Sequence, residues 1–242
     1  MWQELVAVYK RSLKPTDFWV NNYLFRPLAS PIVYVLQHTR VTPNQVTFFS
    51  LALALLGHLL FATWHSRWGL SVGVFLVLLS FVFDSVDGQL ARIRKTASPL
   101  GGFLDFLMDE IKAVFLVASL SYRFIQQQWI EGSHNNWALP VSLFGIAVVA
   151  SGVALTTFIR RPEYSGKDPF DKSEHNNPIP LTPLKKIIFF ANFLGRHIVH
   201  YPEWIGVPLL IFGRVEWFLI PYLIAHLLYL GKTALMVLMR LA

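Results

Sequence analysis

Residues 84–109 read DSVDGQLARIRKTASPLGGFLDFLMD. Apolar sequence brackets the stretch, from Leu70 to Phe83 ahead of it and from Ala113 to Leu120 behind it. Four aspartates, Asp84, Asp87, Asp105 and Asp109, therefore stand at the ends of two apolar segments. A bare carboxylate near lipid costs several kcal/mol unless something compensates it. What compensates these four is the question on which fold and function both turn.

The surrounding chain is membrane-like. Of 242 residues 54% are hydrophobic and only 14% charged, against roughly a quarter charged in soluble domains. The expected class is all-α, a polytopic membrane protein. Six spans of about 20 residues are expected, near Thr42 to Trp64, Trp68 to Arg92, Pro99 to Gln126, Trp137 to Ile159, Tyr201 to Phe212 and Val215 to Met239. Pro202 and Pro208 interrupt the fifth, so Leu184 to His200 is a candidate for a separate interfacial helix leading in. The proline-rich stretch from Pro162 to Pro180 reads as a connection. The N-terminal MWQELVAVYKRSLK places its basic residues last, unlike a signal peptide, and its apolar spacing predicts an amphipathic surface helix. The expected organisation is a juxtamembrane segment over residues 1–40 and a membrane domain over 41–242.

The absence of cysteine excludes a disulfide framework, zinc-thiolate sites and iron–sulfur clusters. The net charge of +7 does not point to nucleic acid, because the basic residues sort by loop instead of forming one patch. Lys10, Arg11, Lys14, Arg26 and Arg40 precede the first span; Arg92, Arg94 and Lys95 follow the second; Arg160, Arg161, Lys167, Lys172, Lys185, Lys186 and Arg196 follow the fourth. Only Arg67, Arg123 and Arg214 fall on the opposite side. The positive-inside rule then puts the aspartates and both termini at the cytoplasmic face.

Spacing brings the aspartates together. Asp84 and Asp87 are three residues apart and Asp105 and Asp109 four apart, so each pair shares a helix face. A short loop between antiparallel neighbours is expected to gather four carboxylates, which repel or demand a cation. Hard oxygen ligands suit Mg²⁺, Mn²⁺ or Ca²⁺.

The pattern DxxDGxxAR, then eight residues, then GxxxDxxxD, occurs without a mismatch as Asp84, Asp87, Gly88, Ala91, Arg92, Gly101, Asp105 and Asp109. It resembles the signature of the CDP-alcohol phosphotransferase family. The expected six spans, the N-terminal amphipathic segment and the Thr-Pro-Asn-x-x-Thr start of the first span, Thr42 to Thr47, fit that resemblance. The resemblance implies a homodimeric, Mg²⁺- or Mn²⁺-dependent membrane enzyme. A hydroxyl of an acceptor alcohol attacks the β-phosphorus of a CDP-alcohol, often CDP-diacylglycerol, and CMP leaves. It implies Asp84, Asp87, Asp105 and Asp109 as metal ligands, Asp109 also as general base, and Asn44, Gly88, Ala91, Arg92 and Gly101 as nucleotide contacts. Elementary chemistry agrees, since phosphoryl transfer needs positioning and charge neutralisation.

The acceptor is less legible. Lys112 shares the acidic face one turn deeper and either balances the aspartates or binds the acceptor. Arg160, Arg161 and Arg196 lie on the same expected membrane side and are candidates to bind a phosphorylated acceptor, or are topogenic charge. An aminoalcohol phosphotransferase using CDP-choline or CDP-ethanolamine with diacylglycerol, a cation transporter and a non-catalytic scaffold are the competing readings.

Overall fold

The computed structural model describes residues 2–12, 21–130, 137–161 and 213–241. Among them every regular element is helical: α1 (Trp2–Ser12), a π-helical turn (Asn21–Phe25) leading into α2 (Arg26–Leu36), α3 (Pro43–Thr63), α4 (Arg67–Ile93), α5 (Pro99–Ile130), α6 (Ala138–Ile159) and α7 (Glu216–Leu241). The expected fifth span, the Leu184 to His200 helix and the Pro162 to Pro180 connection lie outside the described residues.

Four helices, α3, α4, α6 and α7, are long and apolar enough to cross a membrane. Helix α5 has the length, 32 residues. Its apolar character is diluted by Asp105, Asp109, Glu110 and Lys112 near one end and by Gln126, Gln127 and Gln128 near the other. Large apolar side chains such as Phe48, Leu59, Phe75, Leu143 and Leu228 face outward, as on a surface solvated by lipid.

Local signals explain the helix boundaries. Thr42 caps α3 in a capping box: its side chain accepts from the Gln45 amide at 3.3 Å, and the Gln45 side chain accepts from the Thr42 amide at 2.9 Å. Pro43 follows at the first helical position. Ser66 caps α4 by accepting from Gly69 N at 3.1 Å, and Ser98 caps α5 by accepting from Gly101 N at 3.1 Å. Helix α4 ends in a Schellman motif. Thr96 N donates to Ala91 O at 2.9 Å and Lys95 N donates to Arg92 O at 3.2 Å. Lys95 takes the left-handed position, with φ of 55°, which glycine ordinarily occupies.

Helix α2 is hard to see in the sequence because Pro27 and Pro31 interrupt the pattern. Pro27 sits in the first turn, where a missing amide costs nothing. The apolar face of α2 buries Ala29 and Val33 against Val46 of α3 and Val82, Val86 and Leu90 of α4; Val8 of α1 joins the same cluster.

The chain forms two compact units, Met1–Leu116 and Val117–Ala242. In the first, α3 and α4 pack most intimately. A Cβ on Gly57 would lie 2.7 Å from Gly73 O and 2.8 Å from Val77 Cγ2, so the backbones approach to a distance no side chain permits. Ser50 Oγ donates to Ser80 O at 2.9 Å across the same contact. Arg94, just past α4, donates to the carbonyls of Leu36, Thr39 and Val41, clamping the α2–α3 connection to the end of α4. In the second unit α6 packs on α7, with Gly145 against Leu223 and Thr156 Oγ1 3.2 Å from the Tyr229 hydroxyl.

Two substitutions test this packing by thermal unfolding of the purified protein in detergent. Gly57→Val forces α3 from α4 and is expected to destabilise by about 1–3 kcal/mol, whereas Gly152→Ala, where a Cβ meets no atom of the described residues within 4 Å, is expected to leave Tm near wild type. Lys95→Gly relieves the left-handed backbone and is expected to stabilise by about 1 kcal/mol; an unchanged or lower Tm would contradict the helix ending described above.

Candidate active site

The motif residues all belong to the first unit. Asp84 and Asp87 ride on the last turns of α4, Asp105 and Asp109 on the first turns of α5, and the Schellman turn with the Ser98 cap reverses the chain between them. One carboxylate oxygen from each of Asp84, Asp105 and Asp109 lies within 4.8 Å of the others. The Asp109 side chain is 48% exposed, so it is open to a second reactant, while Asp84 is 23% exposed.

Asp87 stands beside this trio and has a partner of its own. Three residues along a helix is about 300° of rotation, so Asp87 stands roughly 60° from Asp84 around the axis. Its buried carboxylate accepts from Thr47 Oγ1 of α3 at 2.5 Å. Three carboxylates thus cluster, and the fourth is oriented by a hydroxyl from a third helix. Thr47 is a residue whose part the spacing argument missed. The signal was present in the Thr-Pro-Asn-x-x-Thr start, but only the α3–α4 packing shows which carboxylate that threonine meets.

Lys112 enters the cluster from one turn deeper. Its ammonium donates to Asp84 Oδ1 at 2.7 Å and to Asp109 Oδ1 at 3.1 Å, and it stands 5.5 Å from the centre of the Phe81 ring. The side chain is buried. Of the two parts expected for it, this geometry matches the balancing of the aspartates.

The remaining motif residues lie on the same two helices, Gly88, Ala91 and Arg92 on α4 and Gly101 on α5. Gly88 sits four residues before Arg92, and a Cβ there would lie 3.3 Å from Arg92 Nη1, so the guanidinium folds back across the glycine. A Cβ on Gly101 would face Ser98 Oγ at 3.3 Å and Asn44 Oδ1 at 3.8 Å, which brings the first turns of α3 and α5 together. Ala91 contributes its carbonyl to the end of α4. Behind the site Gln89, fully buried, donates to Arg26 O at 3.2 Å and accepts from Ser30 Oγ at 3.3 Å, tying α2 to α4. Its only sequence signal is a glutamine inside an apolar helix.

Arg160 and Arg161 close α6 in the second unit and are exposed. Arg196 lies outside the described residues.

Oxygen donors converging from two helices fit a hard divalent ion. Known proteins resemble the chain to differing extents. A bifunctional IPC transferase and DIPP synthase of Thermococcus kodakarensis is 30% identical over 111 residues, 46% of this chain and 24% of that protein. A phosphatidylinositol phosphate synthase of Streptomyces avermitilis is 30% identical over 149 residues, 59% of this chain and 57% of its own. The chain thus spans about a quarter of the first relative and a little over half of the second. Among solved structures, Mycobacterium tuberculosis phosphatidylinositol phosphate synthase with CDP-DAG bound superposes with a TM-score of 0.53 at 20% identity, over 88% of this chain and 91% of that one. A second structure of that protein, in complex with manganese and citrate, gives the same TM-score and identity over 88% and 87%. At such identity the likeness speaks for the fold alone. Residues 40–239 match the CDP-alcohol phosphatidyltransferase family, and the chain belongs to it.

Proposed function

We propose that the protein is an integral membrane phosphotransferase with six spans over residues 41–242, an amphipathic surface helix within residues 1–40, and its site at the cytoplasmic face. It transfers a substituted phosphoryl group from a CDP-alcohol, CDP-diacylglycerol by preference, to the hydroxyl of a polar acceptor, releasing CMP. It works as a homodimer. The observation that carries this reading is the convergence of Asp84, Asp105 and Asp109 within 4.8 Å on the two helices that bear the motif.

The residues divide the work. Asp84, Asp105 and Asp109, with Asp87 held by Thr47, would hold Mg²⁺ or Mn²⁺; manganese is the ion in one M. tuberculosis structure. Such an ion supplies charge neutralisation at the donor's diphosphate. Arg92 presents a fork of donors to phosphate oxygens, and Gly88, Gly101 and Asn44 leave room for the nucleotide. Asp109, the open carboxylate, accepts the acceptor's proton as its hydroxyl oxygen bonds to the β-phosphorus and the bond from that phosphorus to the CMP oxygen breaks. Of the basic residues, Arg160, Arg161 and Arg196 support an acceptor that itself carries phosphate, whereas Lys112 is already engaged by carboxylates.

CMP release by the purified protein in lipid micelles tests the reading. With CDP-diacylglycerol and Mg²⁺ or Mn²⁺, release is expected to require metal and one acceptor from a panel of glycerol phosphate, inositol phosphate, inositol and serine. Release only with CDP-choline or CDP-ethanolamine plus diacylglycerol would reassign donor and acceptor. Metal flux without CMP would mark a transporter. Asp109→Asn is expected to lower turnover by roughly 10²–10⁴-fold while leaving Tm intact, and wild-type turnover in that variant would remove Asp109 from the base role. Thr47→Val frees the Asp87 carboxylate and is expected to reduce kcat/KM by roughly 10–100-fold, with Thr47→Ser close to wild type.

A further inference from the structure

Among the described residues Lys112 brings to the carboxylate cluster a charge opposite to its own, and the family motif does not include its position. Its ammonium joins a carboxylate of α4 to one of α5, at 2.7 Å from Asp84 and 3.1 Å from Asp109. The side chain is only 6% exposed, and its ammonium stands over the Phe81 ring, 5.5 Å from the centroid. A buried cation so placed has two physical consequences. It relieves the repulsion of the aspartates whether or not any other cation is bound. It also stands on two of the three carboxylates that converge for a divalent ion, repels that ion, and competes with it for the same residues.

We propose that Lys112 is a positioning residue and a built-in competitor of the divalent ion: it keeps Asp84 and Asp109 assembled and weakens the ion's binding. The inference rests on the proposed metal-holding role of the cluster. Its use to the enzyme is that the site does not fly apart when product and ion leave, and that tight ion binding waits for the diphosphate of the donor, whose negative charge offsets the ammonium. Even at the dielectric constant of water, a unit charge about 5 Å from a divalent ion changes its affinity by roughly tenfold. A residue with only a packing role would not move affinity upward on removal; loss of packing loosens the ligands and weakens binding.

The experiment is a Mn²⁺ titration of the full-length protein in lipid micelles, reading free Mn²⁺ by electron paramagnetic resonance, without nucleotide. Lys112→Met is expected to bind Mn²⁺ at least tenfold more tightly than wild type. Lys112→Arg, which keeps the charge, is expected to stay within about threefold of wild type. Adding the CDP-alcohol should tighten Mn²⁺ binding more in wild type than in Lys112→Met, because binding couplings are reciprocal. Unchanged or weaker Mn²⁺ binding in Lys112→Met overturns the inference and leaves the proposed function standing. Should that variant not fold, Lys112→Gln, which keeps a donor for Asp84, carries the same expectation and the same refutation. A wild-type protein that binds no Mn²⁺ overturns the metal-holding role and this inference together.

Discussion

Carboxylates at the ends of apolar helices repel one another and lose the water that would screen them, and the first unit is built to bear that. Asp84, Asp105 and Asp109 are held within 4.8 Å by a tight reversal between α4 and α5. The reversal is itself over-determined: a Schellman motif stops α4, Lys95 accepts a left-handed backbone, and Ser98 caps α5. Lys112 then places a positive charge inside the cluster, and Thr47 gives Asp87 a hydroxyl. Each device removes part of the penalty of grouping like charges where solvent is scarce.

The close packing of α3 on α4 serves the same end. Glycines at 57 and 73 let the two backbones meet, and that approach is what brings Thr47 to Asp87 and Asn44 to the side of Gly101. Farther from the chemistry, α2 is fastened to α4 by Gln89 and to the α2–α3 connection by Arg94. Arg94 reads from the sequence as topogenic charge. In the fold its guanidinium donates to three carbonyls, of Leu36 at the end of α2 and of Thr39 and Val41 in the connection to α3. The same residue type in neighbouring positions therefore has distinct surroundings: the Arg92 guanidinium folds over Gly88, and Arg94 holds the connection between α2 and α3.

Much of this was legible before any coordinate. Apolar runs of bilayer length located α3, α4, α6 and α7 to within one or two residues, because lipid demands that length and each cap is a local chemical signal. Helix α5 was legible through its Ser98-Pro99 start and its i, i+4 aspartates, although its polar ends dilute its hydropathy. Helix α2 was not, since prolines near a helix start look like prolines in a loop.

By itself the sequence determined the helical class, the two helices that carry the aspartates, and the motif by which the chain resembles its family, since fixed gaps along a helix translate directly into a shared face. Only the tertiary structure decided that Asp84, Asp105 and Asp109 bring one oxygen each within 4.8 Å, that Asp87 meets Thr47, and that Lys112 bridges Asp84 and Asp109. The reason is physical. Spacing sets the angle of a side chain around its own helix axis, but its partner depends on how far, and at what rotation, the next helix approaches, and that is set by the glycine contacts and side-chain packing between helices that no single helix encodes.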